Sequence, residues 1–254
     1  MLAFISCAKT MASTCRLSVP QLSVPVHQEE ATRHALELSR FTAPELMSLL
    51  KISDKIAAEN WLRFQNFCSA DAETLPALCA YTGAVFKRIA VTDFTQVDWL
   101  FAQEHLRITS FLYGLLRPLD GIRPYRLEGD VRLEMHDGQT MFESWRDRLT
   151  DGFIEDVRRQ GGVLLNVASA EMMGLFHWKQ VEEQVRVITP EFLVRKNGKL
   201  KVVTVYAKMC RGEFTRFFLK NRFEDPEDLK AFEWEGFRFA PEESTENTWR
   251  FING

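Results

Sequence analysis

Cysteine is scarce in this chain. Cys7, Cys15, Cys68, Cys79 and Cys210 are odd in number and widely spaced, which excludes a disulfide framework. No C-x-x-C and no compact Cys/His cluster occurs, so a zinc site is excluded with it. This usage fits reduced thiols in a cytosolic protein. Long apolar runs are missing too, and no stretch suffices to cross a membrane. The opening MLAFISCAKT lacks a basic flank, and its apolar run breaks at Ser6 and Lys9. It therefore reads as a first β-strand entering a loop and not as a signal peptide. Excess charge of one sign is also lacking: the net charge is −3 over 254 residues. Any anionic partner must be held by a local patch.

The familiar catalytic signatures are absent. There is no G-x-x-x-x-G-K-[ST], no strand-bound G-x-G-x-x-G, no H-E-x-x-H and no G-x-S-x-G. The five histidines (His27, His34, His105, His136, His177) include no pair at i, i+4, so neither a metal nor another cofactor is called for. His105 ends a helical pattern and reads as a C-terminal cation on the helix dipole.

What is present is an ordinary globular composition, 46% hydrophobic and 26% charged, long enough for one large core. Leu2 to Ile5 read as a strand. HQEEATRHALELSR has helical spacing at Ala31, Ala35 and Leu38. Two helices follow, the first opened by a Thr42–Glu45 capping box and the second by Ser53. Ala77–Tyr81 reads as a strand, TQVDWLFAQEHL as a helix, and TMFESWRDRLTDGFIEDVRRQ as an amphipathic helix closed by Gly161-Gly162. VLLNVAS reads as a buried strand. VRVITPEFLVRKNGKLKVVTVYAK reads as a hairpin turning at Asn197-Gly198, GEFTRFFLKNR as a helix, Glu227–Phe232 as a further helical turn and Trp249–Ile252 as a last strand. Strands alternate with helices while hairpins intrude. The expected fold is a single domain over residues 1–254, mixed α/β (α+β), with a mixed sheet flanked by helices.

Charge is unevenly placed. From Arg195 to Arg222 nine Lys or Arg face a single acid, Glu213; from Phe223 to Thr248 nine acids face Lys230 and Arg238. The two blocks either pair with each other as a solvated surface or leave a basic face for an anion. The stretch HLRITSFLYGLLRPLDGIRPYRLEGDVRL scatters arginines among aromatic rings, prolines and glycines. Its guanidinium groups either brace an irregular loop through Asp120 or Glu128 and stack on Tyr113 and Tyr125, or aim planar donors at a phosphate or carboxylate.

These segments, with ISCAKT, LLKISDKIAAEN, AYTGAVF, LLNVASAE and VYAKMCRGEFTRFFLKNR, resemble the YaaA family of bacterial peroxide-stress proteins over essentially the whole chain. L-Y-G-x-L-R-P-L-D and Y-A-K-x-x-R-G are the most specific matches. The resemblance implies a cytoplasmic protein with the family's own mixed α/β fold and a positively charged cleft. It further implies a role in hydrogen peroxide stress, with limitation of free iron, and binding to double-stranded DNA without strong sequence preference. A helix-hairpin-helix-like element would fall at about 43–67, bringing Lys51 and Lys55. Lys9 lies in the first-strand motif, where Cys7 replaces the family's usual proline. Arg107, Arg117, Arg123 and Arg126 lie in or beside the central motif, and Lys208, Arg211, Arg216 and Arg222 in or beside the late one. Met172 stands where the family tends to have tyrosine. A monomer is expected. The reading from another class is an enzyme on a small phosphorylated or nucleotide-like substrate. Lys208, Arg117 and Arg126 would bind the anion there, while Asp120, Tyr113 or His105 move protons. Direct iron sequestration is the weakest reading, for want of ligand clusters.

Overall fold

The computed structural model describes all 254 residues. The strands are β1 (Leu2–Ile5), β2 (Leu75–Pro76), β3 (Leu106–Ser110), β4 (Gly114–Leu116), β5 (Gly121–Ile122), β6 (Val163–Asn166), β7 (Arg186–Lys196), β8 (Lys199–Lys201), β9 (Glu233–Trp234), β10 (Phe237–Phe239) and β11 (Thr248–Asn253). The helices are α1 (Gln28–Leu38), α2 (Ala43–Leu50), α3 (Asp54–Gln65), α4 (Ala77–Ala80), α5 (Ala84–Ile89), α6 (Gln96–His105), α7 (Met141–Arg159), α8 (Trp178–Gln184) and α9 (Thr204–Asn221).

Nine strands form one sheet in the order β4-β3-β1-β6-β7-β11-β10-β9, with β8 beside β7; β2 and β5 make a separate ribbon. The centre is parallel: β1 lies between β3 and β6, β6 pairs β7, and β7 pairs β11. The flanks are antiparallel. All four residues of β1 are buried, as a central parallel strand covered on both faces requires. A continuous core of 60 buried residues runs from Met1 to Phe251, so the chain is one domain.

The topology creates a crevice. From β1 the chain passes through α1–α6 to β3 on one side, then returns through α7 to β6 on the other. Neighbouring parallel strands whose connections leave in opposite directions keep the space beyond their carboxyl ends open.

Several local expectations hold. Glu45 Oε2 accepts from the Thr42 N–H at 2.7 Å, closing the capping box. Asn197 and Gly198 have φ of 53° and 72°, the pair of left-handed residues that a primed turn needs. Others are corrected. Ala77–Tyr81 is no strand: after the two-residue β2, α4 makes one helical turn, and the amides of Ala77 and Leu78 donate to Asp120 and Pro118 carbonyls. The second arm of the hairpin ends at Lys201, and VTVYAK lies at or within the start of α9. Buried Ala207, Cys210, Phe214 and Phe218 continue a helical spacing into this segment, while Val202, Val203 and Val205 face solvent. Tertiary burial thus overrides the β-propensity of the valines. Ser53 has N-cap backbone geometry, but its side chain makes no capping bond. His105 stacks on Phe101 with centroids 4.1 Å apart and faces the Met1 carbonyl, and burial pulls its pKa down. It therefore does not serve as a helix-dipole cation.

Candidate functional site

A cavity of about 410 Å³ occupies the crevice. Three chain segments that leave parallel strands build it: Ser6–Thr10 after β1, Phe111 after β3, and Val167, Ser169, Glu171 and Met172 after β6. The Ser169 amide donates to Ser6 Oγ at 2.9 Å, tying two of these segments together. Gly83–Phe86, at and within the start of α5, supply a second wall; Tyr125–Glu128 supply a third; Lys208 and Arg211 of α9 close it.

One glycine fixes where α9 sits. A Cβ on Gly212 would lie 2.3 Å from the Val85 carbonyl oxygen and 2.5 Å from Arg88 Cβ. Only a bare backbone lets α9 approach α5 this closely, and the contact carries Arg211 and Lys208, three residues apart on α9, to the cavity wall beside Val85.

The charges of the cavity differ in kind. Glu128 accepts Lys9 Nζ at 3.2 Å and pairs with Arg126, whose Nη1 also donates to the Lys9 carbonyl at 2.8 Å. Within this cluster Arg126 Nε is buried with no hydrogen-bond partner, and Glu128 Oε1 is taken up by the ion pair with Arg126 Nη2. Lys208 and Arg211 have no ion pair and no side-chain hydrogen bond at all. Arg211 is half-buried, and desolvation lowers its pKa, yet a guanidinium stays protonated. A half-buried guanidinium with no acidic partner bears a desolvation cost that no ion pair offsets.

Cys7 lies on the wall, where its amide donates to Thr109 Oγ1 at 3.0 Å. Although the residue is partly exposed, local desolvation pushes its thiol up to about 11, with Glu128 and Glu171 adding to the rise. The thiol is therefore protonated and poorly nucleophilic near neutral pH. Behind the wall, Tyr125 Oη contacts Tyr81 Oη at 2.8 Å and Ser110 Oγ at 2.7 Å, a buried hydroxyl chain that holds the ring in place.

The structure divides the residues singled out from the sequence. Lys9, Arg126, Lys208 and Arg211 line the cavity. Arg117 turns away: its Nε, its Nη2 and its amide donate to the fully buried Asp120, which also accepts from Ser23 Oγ. Arg107 pairs with Asp156 and donates to carbonyls at the end of α6. Arg123 lies over the Phe67 ring. Lys51 pairs with Asp130 at the α2–α3 turn, while Lys55 is exposed on α3. Arg216 pairs with Asp93, and Arg222 shares Asp98 with Lys220. Among the proton-transfer candidates, Asp120 is saturated with donors, Tyr113 Oη accepts the Arg123 amide, and His105 sits beside Met1 at the opposite edge of the sheet. None of these three lines the cavity.

The basic and acidic blocks meet through one ion pair, Arg195–Glu243. Lys196, Lys199 and Lys201 are exposed and have no ion pair. Because β7 runs parallel to β1 and β6, its carboxyl end and the hairpin beyond it project from the edge of the sheet where the cavity opens. Glu171 was not singled out from the sequence. Its signal was positional: it follows β6 as Lys9 follows β1, just past a central parallel strand.

A helix-flanked mixed sheet with a cation-lined cavity at its topological switch places the chain among α+β proteins. A family model described as peroxide stress protein YaaA matches residues 1–243, and the chain belongs to that family. It is similar to a UPF0246 protein of Phocaeicola vulgatus, 56% identical over 251 residues, covering 99% of this chain and 98% of the relative. A UPF0246 protein of Bacteroides fragilis is also 56% identical, over 100% of this chain and 99% of its own. One of Porphyromonas gingivalis is 47% identical over 99% of both. No helix is long and apolar enough to cross a membrane. Family membership supports a role in peroxide stress.

Proposed function

We propose that the chain serves in peroxide stress by holding phosphate groups of double-stranded DNA, without reading bases, through the basic edge of its sheet. Protection against iron-catalysed damage would follow from occupancy of the DNA. The observation that carries this reading is the set of cations with no acidic partner at one edge: Lys208 and Arg211 at the cavity, and Lys196, Lys199 and Lys201 on the adjoining hairpin. Exposed lysines on a short hairpin contribute charge without a fixed fork, which suits contact with a backbone more than with base edges.

The test is the salt dependence of binding to a duplex of mixed sequence. Each phosphate neutralised releases condensed counterions, so affinity should fall steeply between about 50 and 200 mM salt. Replacing Lys196, Lys199 and Lys201 with alanine should reduce the slope of log affinity against log salt by about one for each lysine in contact. An affinity unchanged over that range would overturn the electrostatic mode.

A further inference from the structure

The cavity holds more than a backbone phosphate needs. Its four cations, Lys9, Arg126, Lys208 and Arg211, face two carboxylates, Glu128 and Glu171. Lys9 and Arg126 share the single carboxylate of Glu128; with Glu171 counted, four cations against two carboxylates leave the cavity at +2, and Lys208 and Arg211 are its cations without an acidic partner. Two free cations match a phosphomonoester, which carries about −1.5 to −2 at neutral pH, better than the single charge of a backbone diester. The walls between the cations and the strand ends are apolar and aromatic, with Phe86, Phe111, Val167 and Met172. The carboxylates lie toward Cys7, whose thiol both of them perturb.

We propose that this cavity binds a nucleoside phosphomonoester, with its phosphate on Lys208 and Arg211, its ring against Phe111 and Met172, and its sugar or ring donors on the carboxylates of Glu128 and Glu171. A volume of about 410 Å³ falls within the roughly 300–1,000 Å³ of small-ligand sites. Carboxylates would repel a bare phosphate but accept the N–H and O–H groups that the rest of a nucleotide carries. Thus the acids, which make no sense in a site for inorganic phosphate alone, give the site its selectivity. The proposal rests on the α9 cations being phosphate ligands, and it deepens that reading. The monoester has two sources: a free mononucleotide, or the phosphorylated end of a strand.

The full-length chain, titrated calorimetrically, tests this. A mixture of 5′-mononucleotides should bind at least tenfold more tightly than the matching nucleosides and than inorganic phosphate. Lys208→Met, on an exposed position that leaves the fold alone, and Arg211→Met should each cost about tenfold. Glu128→Gln should weaken the mononucleotide while leaving phosphate binding undiminished or stronger. If strand ends are the source, a duplex with 5′-phosphates will displace the mononucleotide better than one with 5′-hydroxyls; if free nucleotide is the source, the two duplexes will displace it equally. Equal binding of nucleotide and phosphate would overturn the proposal, as would equal binding of nucleotide and nucleoside. Absence of mononucleotide binding with salt-sensitive duplex binding intact would sink this proposal alone. Absence of both would sink the DNA reading with it.

Discussion

At the scale of single residues, arginines that look alike in sequence divide by what their partners leave free. Arg117 is spent on Asp120: two guanidinium nitrogens and the backbone amide all converge on one carboxylate that water does not reach. Lysine in its place keeps the charge but cannot reproduce the fork. Arg117→Lys should therefore cost about 1–3 kcal/mol of stability, a drop of a few degrees in the melting midpoint, with anion affinity unchanged. Intact stability with lost binding would return Arg117 to the ligand. Cys7 yields a second residue-scale expectation. With its thiol pushed up to about 11, carbamidomethylation of Cys7 by iodoacetamide, followed by mass spectrometry, should stay slow at pH 7–8 and accelerate toward pH 11. Rapid labelling at pH 7 would show a thiolate that the cavity does not support. Cys7→Pro removes the amide that donates to Thr109, so it should fold with a loss of about 1 kcal/mol. The sequence located Lys9, Arg126, Lys208 and Arg211, because each sits in a dense local motif. It could not separate them from Arg107 or Arg117, because an arginine's role depends on whether an acid from elsewhere in the fold reaches it. Asp156 meets Arg107 from 49 positions away, and no local pattern encodes that.

At the scale of elements, the helices with strong amphipathic spacing were readable, and the errors fell on short apolar runs. Ala77–Tyr81 has the composition of a buried strand, yet its amides are claimed by carbonyls of the Pro118–Asp120 turn, and a helical turn results. A run of five apolar residues cannot announce which partner its backbone will find. The start of α9 shows the same limit, since its valines match strand propensity while the burial spacing of Ala207, Cys210 and Phe214 is helical. The α5–α9 contact has a direct test. Gly212→Ala places a methyl against the Val85 carbonyl and Arg88, and α9 must shift outward. Overpacking of this kind costs about 1–3 kcal/mol. Because Arg211 and Lys208 ride on the same helix, mononucleotide affinity should fall along with the melting midpoint. A variant that loses neither would show that the two helices are free to part.

At the scale of the whole molecule, one buried contact couples distant segments and gives the fold its acid limit. His34 of α1 and His136, from the loop before α7, face each other through their Nε2 atoms at 2.8 Å, packed against Trp145. His34 Nδ1 lies 3.0 Å from the Leu112 carbonyl, which can only accept, so His34 carries its proton there and presents a bare Nε2. His136 must then donate, and the bond survives only while His34 Nε2 stays unprotonated. Burial depresses both, His34 to about 4, with the neighbouring ring and Arg148 opposing the charge further. A histidine whose folded pKa lies below its unfolded value of about 6.5 leaves the fold fully stable above that value. The stability is lost as pH falls through the window from 6.5 toward 4, because the unfolded chain binds protons the folded chain refuses. For His34 alone the loss approaches about 3 kcal/mol by pH 4, at about 1.4 kcal/mol per unit. Asp98, held down to about 2 by Lys220 and by its bonds to Thr95 against the cost of its burial, acts in the same direction but in a lower window. Its contribution is full above the unfolded carboxylate value near 3.9 and is lost as pH falls from there through 2, so it lies below the histidine range. Denaturant unfolding at intervals from pH 7 to 4 should show stability falling steadily below 6.5. His34→Leu combined with His136→Leu removes both protonation sites at once and leaves no lone ring to be stranded. That variant loses the bond to Leu112 by a constant amount, so its curve should start lower and fall less steeply across the same range, the remaining slope coming from His27 and His105, which burial also depresses. An unchanged slope in the double variant would place the acid sensitivity elsewhere in the molecule.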